Sequence, residues 1–237
     1  MSSRDFILSR IRTALNAHPG ASELPPAPQV WPIRQKTVDE MAKIFQESIV
    51  QVAGEVVFCP SWEEAAQQVE ARLKKSNAKK IGMAKRPVVE QLIQKSSALT
   101  APGSDFELVT APAKPNDVSG PEMAELDASL VGAEILLADT GSCVVSSSTA
   151  FDRMLCYLPP TCFVLATKSM LREHLPAAWP EISARLTAPV NPALPVQKHG
   201  EFLIVTGPSR TADIEKILIL GVHGPKQLTV LLIDDQS

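Results

Sequence analysis

The run TGPSRTADIEKILILG at residues 206–221 carries residue types that grip an anion. A strand leading through a tight turn into a helix would aim free backbone N–H groups, and the positive end of the helix dipole, at whatever lies beyond the strand. Gly207 lets the backbone approach closely, and Ser209 and Thr211 offer hydroxyls. Arg210 can hold a carboxylate or phosphate through two parallel hydrogen bonds. Asp213 either joins such a site or neutralises the helix dipole, with Ser209 or Thr211 acting as an ordinary cap. This reading predicts a helix over 211–220, with His223 just past its end as a C-terminal cap partner or a further site member.

A second polar turn lies at Asp139, Thr140, Gly141 and Ser142, between two apolar runs in LLADTGSCVVSS. These residues either organise the turn through local backbone bonds or contact a ligand. Asp-Thr-Gly-Ser also occurs in aspartic proteases, where two copies surround one water, but this chain has a single copy amid alternating strands and helices. Gly207-Pro208-Ser209-Arg210-Thr211 half-matches the G-x-S-x-G nucleophile elbow. Its last glycine is missing, and only 28 residues follow Ser209 to supply the acid and histidine of a triad. Dinucleotide, Walker A and H-E-x-x-H signatures are absent. His18, His174 and His199 read as solvated.

These turns need elements to hold them. Ile7, Ile11 and Leu15 recur at helical spacing, and the helix stops near His18-Pro19-Gly20. Five prolines between Pro19 and Pro32 then favour an extended arm. Thr37 with Glu40 forms a capping box before the stripe Met41, Ile44, Phe45, Ile49 and Val52, and Ser61 with Glu64 forms another. Strands are predicted at Glu55–Cys59, Lys80–Ala84, 106–109, 162–167, 201–206 and 228–233, and helices at 87–95, 121–130, around 168–175 and at 181–186. Glu134–Ala138 and Cys143–Ser147 are joined too closely for anything but an antiparallel hairpin. The expected fold is a single α/β domain at 37–237, with a largely parallel sheet plus that hairpin and helices on both faces, preceded by a helical, proline-rich arm at 1–36.

The 237 residues hold 23 Lys+Arg and 26 Asp+Glu, a net charge of −3 that disfavours a nucleic-acid partner. Cys59, Cys143, Cys156 and Cys162 lack metal or cluster spacing and read as buried, reduced thiols, so no cofactor is expected in this chain. The charged N-terminus and the lack of a long apolar run point to a cytoplasmic protein without a membrane span.

ADTGS at 138–142, the serine pair at 147–148, TGPSRTADIEKILILGVHGP at 206–225 and the terminal QLTVLLID together resemble the LUD-domain family, lactate-utilisation protein C type. The resemblance covers roughly residues 38–234, with Cys143 and Asp139 standing where Thr and Glu are frequent. It implies a fold similar to the CoA-transferase and ribose-5-phosphate isomerase group. It also implies a non-redox accessory role in oxidising L-lactate to pyruvate, beside iron–sulfur partner subunits, with a small carboxylate or phosphate as possible ligand. The alternative is a stand-alone enzyme acting on a phosphorylated sugar, acyl-CoA or folate-like substrate. The family supplies no agreed catalytic residue.

Overall fold

The computed structural model describes residues 3–17, 31–112, 123–187, 201–212, 218–220 and 224–235. The chain divides into two compact units, residues 1–32 and 33–237. The first holds helix α1 (Ser3–Ala17), on which Phe6, Ile7, Ile11 and Leu15 are all exposed.

The larger unit opens with helix α2 (Val38–Gln51). The expected capping box starts it: Thr37 Oγ1 accepts from the Glu40 N–H at 3.2 Å, and the Glu40 carboxylate accepts from the Thr37 N–H at 2.7 Å. Met41, Phe45 and Ile49 form its buried face. Strand β1 (Glu55–Cys59) follows, then helix α3 (Trp62–Lys75), whose Ser61 cap accepts from the Glu64 N–H. Strand β2 (Lys80–Met83), helix α4 (Pro87–Lys95) with proline in its first turn, short helix α5 (Ser97–Thr100) and strand β3 (Glu107–Val109) complete the first half.

The second half runs through β4 (Ala128–Gly132), β5 (Ile135–Leu137), β6 (Ser142–Ser147), helix α6 (Ala150–Leu155), β7 (Thr161–Thr167) and a 3-10 turn at Lys168–Met170. It continues with β8 (Leu171–Arg172), helix α7 (Leu175–Thr187), β9 (Glu201–Val205), β10 (Arg210–Ala212), β11 (Leu218–Leu220) and β12 (Gln227–Ile233).

Six strands form a wholly parallel sheet in the order β1-β12-β7-β4-β2-β3. Its central strands are apolar on both faces because both are covered. Val164 and Ala166 of β7 join Phe45, Ile49 and Leu155 in one core, while Phe163 and Leu165 face Val69, Leu73 and Leu92 in the other. Each such side chain removed from water contributes about 1.5–3 kcal/mol, so α2 with α6, and α3 with α4, are fastened to opposite faces. A second sheet in the order β8-β5-β6-β9 contains the expected antiparallel hairpin, with Leu136 opposite Cys143. Helix α7 packs Ala178 and Ile182 onto Ile135, Leu137 and Val144 of this sheet.

The structure corrects several expectations. The helix expected at 121–130 overlaps β4, which pairs with β2 and β7; its buried run Ala128–Gly132 is too short for periodicity alone to separate strand from helix. Around 168–175 stand a 3-10 turn and β8. The helix expected at 181–186 begins earlier, at Leu175. Helix α6, capped by Thr149 through the Asp152 N–H at 3.0 Å, had no counterpart in the sequence reading. In place of a helix over 211–220, β10 and β11 pair antiparallel, with Arg210 opposite Leu220. There Leu218, Ile219 and Leu220 form another short apolar run, and it pairs with the residues shortly before it.

Candidate functional site

The two turns singled out by the sequence come together at the C-terminal turn of α2. Ser142 Oγ donates to Thr140 Oγ1 at 2.8 Å and lies 2.7 Å from Thr206 Oγ1, joining the β5–β6 turn to the segment after β9. Ser48 of α2 donates to the Asp139 carbonyl at 3.1 Å, and the Asp139 N–H donates to the Glu173 carbonyl at 3.1 Å. Gly141 has φ +63°, and a Cβ placed there would lie 2.4 Å from the Ile49 nitrogen. Gly207 has φ +80°, and its Cβ would lie 2.7 Å from the Val52 carbonyl oxygen. Both glycines therefore permit close backbone approach, and what approaches is helix α2.

Ser209 donates its backbone N–H to Pro225 at 2.9 Å, and a Cβ at Gly224 would press on the Ser209 side chain. Arg210 donates from Nη2 to the Gln51 carbonyl at 3.3 Å. Helix α2 has no basic residue in its own last turn, so this exposed guanidinium supplies positive charge at the negative end of its dipole. Thr211 sits in β10 opposite Ile219, so the helix N-terminus expected beside Gly207, Ser209, Arg210 and Thr211 is replaced by a strand. Asp213 and His223 lie outside the described residues.

A different opening lies along the N-terminal half of α2. It is a cavity of about 380 Å³ outside the carboxyl ends of β1, β12 and β7, where parallel sheets place their ligands. Asp39, Lys43 and Gln46 line it from α2, Phe58 and Cys59 from β1, and Lys168 from the residue after β7. Lys168 Nζ donates to Asp234 at 2.7 Å and to Asp39 at 3.3 Å. The bond to Asp234, reinforced by Asp39, holds this ammonium above the ordinary lysine range despite partial desolvation. Sequence reading passed over these residues because they come from four separate segments. The available signal was charge immediately after an apolar strand, as at Lys168 after β7 and Asp234 after β12.

Two other polar groups are structural in their contacts. Glu134 accepts from Ser146 Oγ at 2.7 Å and from Arg185, tying β6 and α7 together. Burial pushes its carboxyl up, but Ser146, Arg185 and Arg86 outweigh that and hold it below the ordinary range. His174, expected to be solvated, is buried in the turn before α7, where Nδ1 accepts from the Ala177 N–H at 3.1 Å.

All four cysteines are buried and free, as expected. Burial pushes the Cys59 and Cys162 thiols up to about 11 and raises those of Cys143 and Cys156 as well, so each stays protonated at neutral pH. Among the described residues no cluster of His, Cys, Asp and Glu could hold a metal ion, and no helix is long and apolar enough to cross a membrane.

The model of the LUD domain family matches residues 42–233. Lactate utilization protein C of Bacillus pumilus is 35% identical over 108 residues, which are 46% of this chain and 42% of that protein. Its Bacillus subtilis namesake is 32% identical over 103 residues, 44% of this chain and 40% of the relative. The uncharacterized protein NMB1437 of Neisseria meningitidis is 34% identical over 109 residues, 46% of this chain and 42% of the relative. The match thus spans less than half the length of these curated relatives. A crystal structure of a DUF162 family protein from Deinococcus radiodurans superposes with a TM-score of 0.53 at 15% identity, covering 84% of this chain and 99% of that one. That likeness shows the fold.

Proposed function

The chain belongs to the LUD domain family, and from that premise we propose that it is a non-redox accessory subunit of a cytoplasmic iron–sulfur system that oxidises L-lactate to pyruvate. The observation that carries this reading is the similarity, at about a third identity, to several bacterial proteins named Lactate utilization protein C. The chemistry of the chain agrees with a non-redox role. Its four free thiols are buried and protonated, a state that suits packing. In this reading the exposed residues Thr140, Thr206 and Arg210 at the C-terminal turn of α2 form a surface that meets a partner subunit.

The test is genetic and biochemical. Deletion of the gene should abolish or strongly slow growth on L-lactate while leaving growth on pyruvate intact, and tagged protein should co-purify with iron–sulfur subunits from lactate-grown cells. Normal growth of the deletion strain on L-lactate, with no such subunits recovered, would overturn the proposal.

A further inference from the structure

We infer that the cavity beside the N-terminal half of α2 seats a 2-hydroxy carboxylate, an assignment that rests on the lactate-utilisation reading and gives its ligand a place. The cavity lies outside the carboxyl ends of three adjacent parallel strands and has the size of a small-molecule site. Its polar groups fall into two sets, and each set matches one half of such a ligand.

The first set is cationic and faces outward from the helix. Lys43 is exposed, makes no ion pair among the described residues, and stands one turn from the Gln46 amide on the same helix. An ammonium and an amide N–H at that spacing suit the two oxygens of a carboxylate. The second set is the Asp39–Lys168–Asp234 triad. With two carboxylates on one ammonium it carries a net negative charge, so it repels a second carboxylate and favours a hydrogen-bond donor. Among the described residues two of the three Lys168 N–H groups are used, by the aspartates, and the third can donate to an incoming oxygen. The Asp39 side chain is 87% exposed and can accept in return. A hydroxyl both donates and accepts and so satisfies both groups, whereas a keto oxygen can accept from Lys168 but has no proton to give Asp39, and a methyl group does neither. Phe58, on β1 but 42% exposed, offers an apolar wall for the substituent on the ligand's second carbon. The volume leaves room for chains longer than that of lactate.

The experiment is isothermal titration of the full chain with L-lactate, pyruvate, acetate and a branched, longer 2-hydroxy acid, each at up to about 10 mM, ten times a Kd of about 1 mM. The expected result is binding of both hydroxy acids, with pyruvate and acetate at least tenfold weaker. Lys43→Ala should weaken the hydroxy acids at least tenfold. Lys168→Met should remove the preference for lactate over acetate, and circular dichroism should show both variants folded. No measurable binding of either hydroxy acid to the wild-type chain would overturn the assignment. So would binding that neither Lys43→Ala nor Asp39→Asn alters, the second variant serving if Lys168→Met does not fold. Growth separates the two proposals. A gene needed for growth on lactate whose product binds no hydroxy acid loses the site and keeps the function. A dispensable gene whose product binds lactate through Lys43 keeps the site and loses the function.

Discussion

The two ends of helix α2 meet the rest of the domain in opposite ways. At its C-terminal turn the backbones of Gly141 and Gly207 press against Ile49 and Val52, and the neighbouring hydroxyls satisfy one another. Along its N-terminal half, Asp39, Lys43 and Gln46 face a cavity across from Phe58 and Lys168. The motifs most visible in the sequence thus include two glycines that let backbones touch, while charged residues from separated segments leave space for a ligand. A conspicuous glycine records a close approach, and only the structure says whether a ligand or another part of the chain makes it.

The sharpest test of that contrast is Gly141→Ala. Its left-handed φ and the backbone of Ile49 should together cost about 3 kcal/mol. For a chain of this size that is a fall in melting temperature of about 6–12 °C. Gly103 is the control, because its φ is also positive but no atom lies within 4 Å of its would-be Cβ. Gly103→Ala should cost only about 1 kcal/mol. Equal losses at both sites would break the claim that α2 fills the space beside Gly141.

At the open end the balance should reverse, with little lost in stability and much in binding. Lys168→Met removes a partly exposed pair of ion contacts and should cost about 1 kcal/mol or less at neutral pH. The Lys168 ammonium titrates above its unfolded value, so its contribution is complete below about pH 10.4 and fades as pH rises through the folded value. Urea denaturation across pH 8 to 11 should therefore show a loss of stability at the alkaline end that is smaller in Lys168→Met. Identical slopes in the two proteins would mean that the triad does not act as described.

The smallest expected effect is at Arg210. Its bond to the Gln51 carbonyl is long and exposed, so Arg210→Ala should cost about 0.3–1 kcal/mol, measured by denaturant midpoint. A loss above about 2 kcal/mol would show that the guanidinium is more than a helix-end partner.

What was legible in the sequence follows from where the determining interactions lie. The capping residues Thr37 and Ser61 act within three residues of themselves, so the starts of α2 and α3 could be read directly. The short link between 138 and 143 left only an antiparallel hairpin, and β5 pairs with β6 in that sense. Residues 218–220 and 128–132 are short apolar runs that periodicity alone leaves open between strand and helix; the first pairs with the nearby 210–212, and the second with β2 and β7 far along the chain. The hydroxyl pairing of Ser142 with Thr206 spans 64 positions and is visible only in the fold. The cavity was not legible, because Asp39, Phe58, Lys168 and Asp234 become neighbours only when β1, β12 and β7 lie side by side.

Whether ligand binding belongs to the open end of α2 and close packing to the other is decided by amide chemical-shift mapping of the full chain during titration with L-lactate. Saturable shifts are expected at Asp39, Lys43, Gln46, Phe58 and Lys168, with the amides of Thr140–Ser142 and Thr206–Arg210 unmoved. Shifts concentrated at Thr140–Ser142 and Thr206–Arg210, with the cavity residues silent, would contradict that division.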